Sequence, residues 1–202
     1  MERTFTSEDR RRIKEGIAEK YRKVAVSPEG SFKYPTGRAG VEGQGYDSEI
    51  IDAIPEEVIA SYCGVGNPFS LGPIKKGESV LDIGCGAGVD TIVAAIMVGP
   101  EGRVVGIDLT PEMLERAKEN SRKTSLENVS FQEGSAEDLP FPEASFDVVI
   151  SNGVFNLVPD KLKALKEVCR VLKPNGRLMI ADQVLVTQPP ADTRSMVENW
   201  AG

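Results

Sequence analysis

The spacing of hydrophobic positions divides the chain near residue 75. Beyond it, short apolar runs alternate with amphipathic stretches, which predicts strands and helices in turn. The run at residues 148–150 is apolar throughout, as expected of a parallel strand covered on both faces. This alternation predicts an α/β fold with a doubly wound, mostly parallel, Rossmann-like sheet. The predicted strands are 79–83, 103–108, 129–133, 146–151 and 177–186, and the predicted helices are 90–98, 111–123 and 160–172.

The first 75 residues follow a different pattern. Charged and apolar positions at helical spacing predict a helix over residues 8–24, with Ser7 as its N-cap. Frequent glycines and prolines predict a loop over residues 27–45. A second helical stretch spans residues 48–62, and Pro55 starts a new segment within it. The sequence therefore predicts a mainly helical N-terminal extension.

A length of 202 residues suits one α/β domain with a small addition. We expect residues 1–75 to form a lid and one wall of the ligand site, and residues 76–202 to form the ligand-binding domain. Few residues follow the last predicted strand, which would leave a sheet edge uncovered. Three explanations stay open: the chain is a fragment, a partner or second copy covers that edge, or a selenocysteine codon after Gly202 was read as a stop.

Composition narrows the chemistry. The chain has no histidine, which excludes a Ser-His-Asp triad, a histidine-assisted cysteine nucleophile and a histidine metal site. The net charge of −7 argues against a broad nucleic-acid surface. Basic side chains between residues 10 and 23 alternate with acidic ones, which favours a solvated helix over a phosphate-binding patch.

The three cysteines show no paired spacing, so we expect no disulfide framework. No apolar run is long enough to span a bilayer, and the charged start lacks a signal-peptide pattern. We therefore expect a cytoplasmic protein with no membrane partner and no metal.

The first predicted strand runs into a glycine-rich turn at residues 82–88. Glycines let the backbone turn tightly and let a ligand approach the N-terminus of the following helix. Their Gly-x-Gly-x-Gly spacing differs from the Gly-x-Gly-x-x-Gly dinucleotide fingerprint. Asp82, just before the turn, would repel a pyrophosphate but suit the ammonium or sulfonium of S-adenosylmethionine. The turn alone would also serve a nicotinamide or flavin cofactor.

Polar residues follow the next three predicted strands. A carboxylate at Asp108 can accept hydrogen bonds from both ribose hydroxyls, although it could equally cap the turn before Thr110. Residues 134–141 could hold an adenine, although Glu137 could also be a solvated loop charge. Asn152 would face the methionyl part, or be a turn residue. The predicted cofactor-binding residues are Asp82, Gly84, Cys85, Gly86, Gly88, Asp108, Leu109, Met113, Ser135, Ala136, Glu137 and Asn152.

These segments resemble class I S-adenosylmethionine-dependent methyltransferases. Residues 81–88 are similar to the family's first motif, and residues 170–178 to the segment that leads to its fifth strand. A closer resemblance, to the arsenite methyltransferase branch, rests on residues 64–68, 98–102, 107–114 and 151–157. It implies a Rossmann-like methyltransferase sheet and S-adenosylmethionine as cofactor.

The departures from that branch concern its arsenic-binding cysteines. The positions where they usually stand carry Val65 and Gly153 here, and the chain ends before a third. We expect Cys169 to pack in the core on a stripe with Leu162, Leu165, Val168 and Leu172, and Cys85 to belong to the cofactor turn. Only Cys63 is then a candidate thiol on the acceptor side. A soft metalloid needs several converging thiolates, so we expect little or no arsenite methylation.

The sequence therefore predicts methyl transfer to a small-molecule acceptor, with no assigned catalytic residue. Tyr21, Tyr34 and Tyr46 are candidates for the acceptor wall, and Glu137 or Asp138 could assist a hydroxyl acceptor. Two other interpretations stay open: an NAD(P)-dependent oxidoreductase, and a non-catalytic S-adenosylmethionine-binding subunit or sensor.

Overall fold

The structure is a computed structural model that describes residues 5–184 and Trp200. One sheet organises this part of the chain. Its strands are β1 (Ser79–Ile83), β2 (Arg103–Asp108), β3 (Val129–Glu133), β4 (Phe146–Asn152) and β5 (Leu172–Ala181). They lie in the order β3-β2-β1-β4-β5, and every neighbouring pair is parallel. The predicted doubly wound parallel sheet is confirmed.

Helices connect the parallel strands. They are α5 (Val89–Val98) after β1, α6 (Pro111–Arg122) after β2 and α7 (Lys161–Val171) after β4. The strand order reverses between β1 and β4, and ligands of such sheets bind beyond the carboxyl ends of the strands at that point.

The two faces of the sheet bury alternate side chains. Leu81 and Val149 pack in a cluster that includes the inner face of α7. Their neighbours Val80 and Val148 point the other way and pack with the inner face of α5. All four side chains are inaccessible to solvent, so the core sits on both sides of β1 and β4 and fixes their ends.

The extension before β1 is helical. Its elements are α1 (Ser7–Val26), α2 (Gly37–Gly43), α3 (Ser48–Asp52), α4 (Glu56–Ile59) and a 3-10 turn at Pro68–Leu71. The predicted break at Pro55 is confirmed, because that residue precedes α4.

Two details of the extension differ from the prediction. The N-cap of α1 is Thr6, not Ser7: its hydroxyl accepts from the Asp9 N–H at 3.1 Å, and Asp9 accepts in return from the Thr6 N–H. Helix α2 lies inside the predicted loop. A Cβ on Gly40 would stand 2.8 Å from the Pro35 carbonyl oxygen and 3.1 Å from the Tyr62 ring, so this glycine marks close packing.

The end of α7 also differs. The predicted strand at residue 177 begins earlier, because α7 ends at Val171 and β5 follows without a loop. The first half of β5 pairs irregularly with β4, and Asn175 has a φ of 64°. Pro174 and this left-handed residue form a bulge, and regular pairing begins at Arg177. Residues 185–186 of the prediction lie outside the described residues.

Candidate functional site

A cleft lies at the carboxyl ends of β1 to β4, where the strand order reverses. One side consists of the glycine-rich turn, the end of β2, the loop after β3 and the end of β4. The other side consists of α1 and residues 61–64 of the extension. Its volume is about 1140 Å³, counted out to the open mouth. The end of the sheet is therefore open to a ligand, as the proposed nucleoside site requires.

The glycine-rich turn forms the floor of this cleft. A Cβ on Gly86 would meet no atom within 4 Å, so the backbone there faces open space. Its φ is 52°, in the left-handed region that glycine adopts at low cost. The N–H of Gly86 donates to Asp108 Oδ2 at 2.9 Å, which ties the turn to the end of β2.

Asp108 accepts hydrogen bonds from backbone N–H groups and also lines the cleft. Its second oxygen, Oδ1, accepts from the Thr110 N–H at 2.8 Å. The predicted alternative, a cap on that turn, is thus present. Each carboxylate oxygen has further lone pairs, which leaves acceptors for ribose hydroxyls. Burial raises the pKa of Asp108, and the two backbone N–H groups oppose that rise.

Two further carboxylates line the cleft from β1 and α5. Asp82 is 2% exposed and accepts from the Thr91 hydroxyl at 2.6 Å. Asp90 is 8% exposed and accepts from the Tyr46 hydroxyl at 2.6 Å. Burial raises the pKa of Asp90 to about 6, and burial with the nearby Asp90 raises that of Asp82 well above its usual value.

Within the described residues, no salt bridge reaches Asp82, Asp90 or Asp108. Three carboxyl groups without a cationic partner disfavour an anionic ligand and favour a cationic one.

The loop after β3 covers the predicted adenine end. Ser135 and Ala136 line the cleft there, as does Leu109 after β2. Glu137 is not a solvated loop charge: its side chain is 12% exposed and lies 3.3 Å from Arg10 of α1. It also accepts from the Asp160 N–H at 2.9 Å. Helix α1 is thereby fastened across this end of the cleft. Asp138 is exposed and does not line the cleft.

Asn152 lines the cleft at the end of β4, but its amide is already engaged. Its Oδ1 accepts from the N–H groups of Val65 and Gly66, at 2.8 and 3.1 Å. Its Nδ2 lies 2.9 Å from Asp90 Oδ2. The side chain therefore joins the sheet to the extension as well as facing the ligand space.

Two predicted residues lie behind the cleft. Gly88 caps α5 with a φ of 84°, and a Cβ there would stand 2.9 Å from the Phe131 ring. Met113 is 1% exposed and packs with Val24 and Ala87. The remaining ten predicted residues share the cleft lining.

The cysteines fall in three different places. Cys63 lines the cleft, and burial raises the pKa of its thiol to about 12. Cys85 also lines it, within the turn. The prediction for Cys169 is wrong: it is exposed, as are Leu162 and Leu165, because α7 buries the face of Ala164, Val168 and Val171 instead.

Val65 and Gly153, which stand where the arsenite branch usually carries cysteines, are in contact. A Cβ on Gly153 would lie 3.2 Å from a Val65 methyl group. Gly153 lines the cleft and the apolar Val65 packs against it.

Sequence reasoning missed part of the site. The sequence indicates Asp90 only as the start of a helix, and it does not single out Lys14 and Ile17 of α1, which line the cleft. An acidic residue two positions after the last glycine of the turn was the available signal for Asp90. Tyr21 and Tyr34 line the cleft as proposed for the acceptor wall.

Comparison with known proteins agrees with this geometry. Residues 74–202 match the family model described as a methyltransferase domain. An arsenite methyltransferase from Halobacterium salinarum is 40% identical over 83% of this chain and 42% of its own length. A demethylmenaquinone methyltransferase from Listeria welshimeri is 44% identical over 54% of this chain and 46% of its own. The chain spans less than half the length of these curated relatives.

Solved structures that resemble this chain belong to the same family. An arsenic(III) S-adenosylmethionine methyltransferase from Chlamydomonas reinhardtii aligns with a TM-score of 0.58 and 36% identity, over 74% of this chain and 50% of that one. A SAM-dependent methyltransferase from Aquifex aeolicus aligns with a TM-score of 0.55 and 28% identity, over 78% and 89%. The chain therefore belongs to the methyltransferase-domain family, among the class I S-adenosylmethionine-dependent enzymes near the arsenite branch.

Proposed function

We propose that this chain binds S-adenosylmethionine in the cleft and transfers its methyl group to a small-molecule acceptor other than arsenite. The observation that carries the proposal is the set of three carboxylates, Asp82, Asp90 and Asp108, that face the cleft without a cationic partner among residues 5–184. A ligand with a sulfonium, an ammonium and a ribose supplies two positive charges and two hydroxyl donors for them.

The residues fit this cofactor in a consistent order. Asp108 would hold the ribose, the turn at Gly84 and Gly86 would approach the methionyl chain, and Asp82 and Asp90 would face the positive groups. The loop with Ser135 and Ala136 would enclose the adenine. When bound, the cofactor supplies a methyl group on a positively charged sulfur, which is a good leaving group.

The chain's own contribution is to bind, orient and exclude water. Helix α1 closes one side through Ile17 and Tyr21. Burial keeps the phenol of Tyr21 protonated by raising its pKa, so it can act as a donor but not as a base. An acceptor that needs no strong base suits such a site.

The geometry argues against arsenite as the acceptor. Val65 and Gly153 meet where thiols would be needed, and a protonated Cys63 is a poor metalloid ligand. Among the described residues, no group of three or more His, Cys, Asp or Glu side chains could hold a metal ion.

The division at residue 75 into a lid and a cofactor-binding domain is part of this proposal. It is supported by the position of α1 and residues 61–64 opposite the sheet. No helix among the described residues is long and apolar enough to cross a membrane. A cytoplasmic location, the absence of nucleic-acid partners and a second copy or partner at the sheet edge stay predictions from the sequence.

The test has two steps. Calorimetric titration compares S-adenosylmethionine with NADH, and we expect saturable binding of the former alone. Methyl-labelled cofactor is then incubated with phenols, quinols, thiols and arsenite. Label on an organic acceptor supports the proposal. Binding of NADH alone contradicts it, and binding of S-adenosylmethionine without any turnover favours a sensor.

A further inference from the structure

A buried polar network links the start of α5 to a loop of the extension. Asp90, the second residue of α5, accepts from the Tyr46 hydroxyl at 2.6 Å and from the Asn152 amide at 2.9 Å. The same amide accepts from the N–H groups of Val65 and Gly66. We call residues 64–66 the acceptor loop, because they face Gly153 at the end of β4.

Asp90 and the Gly66 carbonyl, which accepts from the same amide nitrogen at 2.7 Å, together determine which way the Asn152 amide points. An ionised carboxylate only accepts hydrogen bonds, so it selects the NH2 end of the amide. The amide oxygen then points at the acceptor loop, where two backbone donors meet it. Protonation of Asp90 replaces a charge-assisted hydrogen bond with a weaker neutral one, so the amide is held less firmly against those two N–H groups.

Packing makes the loop sensitive to this bridge. A Cβ on Gly64 would overlap the Asn152 amide nitrogen, so the glycine backbone and the amide are in direct contact. Gln44 holds the opposite side, since its Nε2 donates to the Gly64 carbonyl at 2.9 Å. The Tyr62 hydroxyl donates to the Gln44 amide oxygen and also lies 2.9 Å from the Gly66 carbonyl. Side chains of the extension thus hold the carbonyls of the loop, whereas Asn152 accepts from the N–H groups of Val65 and Gly66.

The groups that face Asp90 leave its charge unbalanced. They are Tyr46 and Tyr62 from the extension, Asp82 from β1, Asn152 from β4, and Cys63 and Asp108 across the cleft. Asp82 and Asp108 are acidic, and the described residues supply no salt bridge to the group. The hydrogen bonds from Tyr46 and Asn152 already favour the ionised form, and a cation in the cleft would favour it further.

We propose that Asp90 is a positioning residue that couples a cationic cofactor in the cleft to the ordering of the acceptor loop through Asn152. This inference rests on the proposed function, since it requires a positively charged ligand. Below about pH 6, where the free Asp90 carboxyl is largely protonated, it implies ordered binding: the cofactor enters first, favours the ionised carboxylate and fixes the loop that forms the acceptor wall.

Hydrogen exchange of the full chain below about pH 6, where the free Asp90 carboxyl is largely protonated, followed by mass spectrometry, tests the coupling. Peptides covering residues 82–88 report cofactor binding, and peptides covering residues 62–69 report the acceptor loop. S-adenosylmethionine is compared with S-adenosylhomocysteine, which lacks the positive sulfur. Asp90→Asn keeps the side-chain shape and removes the charge. Asp138→Asn makes the same change on an exposed residue outside the cleft and serves as the matched control.

In the wild type we expect S-adenosylmethionine to slow exchange in both regions, the loop by about tenfold, as for one hydrogen bond to a charged group. S-adenosylhomocysteine should protect residues 82–88 but protect the loop less. In Asp90→Asn at saturating ligand, residues 82–88 stay protected and the difference between the two ligands in the loop disappears. Asp138→Asn should behave as wild type.

Equal loop protection by S-adenosylmethionine in Asp90→Asn and wild type would overturn the coupling while leaving the proposed function intact. Absence of protection at residues 82–88 in the wild type would overturn the proposed function and this inference with it. Should Asp90→Asn not fold, Asn152→Ala carries the test: cofactor protection without loop protection supports the bridge, and wild-type loop protection refutes it.

Discussion

At the scale of residues, the cleft is defined by three carboxylates held in different ways. Backbone N–H groups hold Asp108, a threonine hydroxyl holds Asp82, and Tyr46 with Asn152 holds Asp90. Burial raises the pKa of all three. The site therefore gains the most from a ligand that brings positive charge.

Asp108→Asn should weaken S-adenosylmethionine binding by about 10- to 100-fold. The neutral amide loses the charge-assisted hydrogen bonds that the ribose hydroxyls would donate, each of which contributes about 1.5–3 kcal/mol. Isothermal titration calorimetry measures the change. Asp138→Asn is the control and should bind S-adenosylmethionine as the wild type does. Unchanged affinity in Asp108→Asn would show that the ribose does not bind at Asp108.

Binding should also depend on pH through Asp90. Its pKa is about 6 in the free protein, and a cation would lower it. Ligand binding then releases a proton from Asp90 when the pH lies between the pKa values of this carboxyl with and without the ligand. Affinity is therefore full above about pH 7 and falls as pH drops through 6, by at most about tenfold per unit for each proton.

Calorimetry across this range, in buffers of different ionisation enthalpy, counts the released proton. In Asp90→Asn, the affinity should depend less on pH, and binding should release fewer protons. A wild-type affinity that is constant from about pH 7 to about pH 5 would show that Asp90 does not sense the ligand.

The sequence predicted Asp82 and Asp108 because each stands at the end of a strand, beside a motif. It did not predict the role of Asp90, since an acidic residue in the first turn of a helix is ordinary and stabilises the helix dipole. The role of Asp90 depends on Tyr46 and Asn152, which lie 44 and 62 residues away along the chain. Only the fold brings these groups together.

At the scale of elements, α1 is the part of the extension that closes the cleft on the side of Glu137. Ile17 and Tyr21 line the cleft, and Arg10 reaches Glu137 on the opposite side. Arg22 pairs with Glu112 of α6 at an exposed position. Such pairs contribute little individually, so the attachment of α1 depends on its own stability and on buried Ile13 and Val24.

Thr6→Ala should destabilise α1 by about 1 kcal/mol, because it removes the hydroxyl that caps the Asp9 N–H. Ser7→Ala, at the residue that the sequence suggested as the cap, should change stability much less. Denaturant titration gives the global free energy of unfolding, and hydrogen exchange within α1 gives the local one. A larger effect from Ser7→Ala would contradict the cap geometry.

The sequence predicted α3, α4 and the helices between strands because their signals are local: apolar periodicity, a proline start and acidic first turns. It did not predict α2, because a glycine reads as a loop residue when its packing partners are unknown. Gly40 is needed for the approach of Pro35 and Tyr62. The early start of β5 depends on a bulge against β4, which no local pattern reports.

At the scale of the whole molecule, the cleft lies between the sheet and an extension that folds back over it. Alternation of strands and helices was enough to predict a doubly wound parallel sheet with its binding loops at one edge, since the carboxyl ends of parallel strands meet there. The packing of the N-terminal extension against the carboxyl ends of the strands was predicted only in outline. The extension meets the sheet end at Asn152, whose amide is hydrogen-bonded to Val65 and Gly66, and at Gly153, against which Val65 packs.

A pair of cysteines at these two positions tests that approach. The Cβ atoms would lie 3.8 Å apart, the usual separation in a disulfide. We expect Val65→Cys/Gly153→Cys to oxidise to a disulfide in air, although the φ of 72° at residue 153 adds strain of about 1 kcal/mol.

Thiol titration before and after reduction, with mass spectrometry of the linked peptides, measures it. Val65→Cys alone is the control. A double variant that stays reduced would mean that the extension does not lie against β4 as described.

The most direct measurement of the central claim is a crystal structure of the chain with S-adenosylhomocysteine. The account predicts the nucleoside in the cleft, its ribose hydroxyls within hydrogen-bonding distance of Asp108 and its methionyl chain beside Gly84 and Gly86. A ligand bound elsewhere, or a cleft that stays empty at saturating ligand while Asp108 contacts only its own turn, would contradict it.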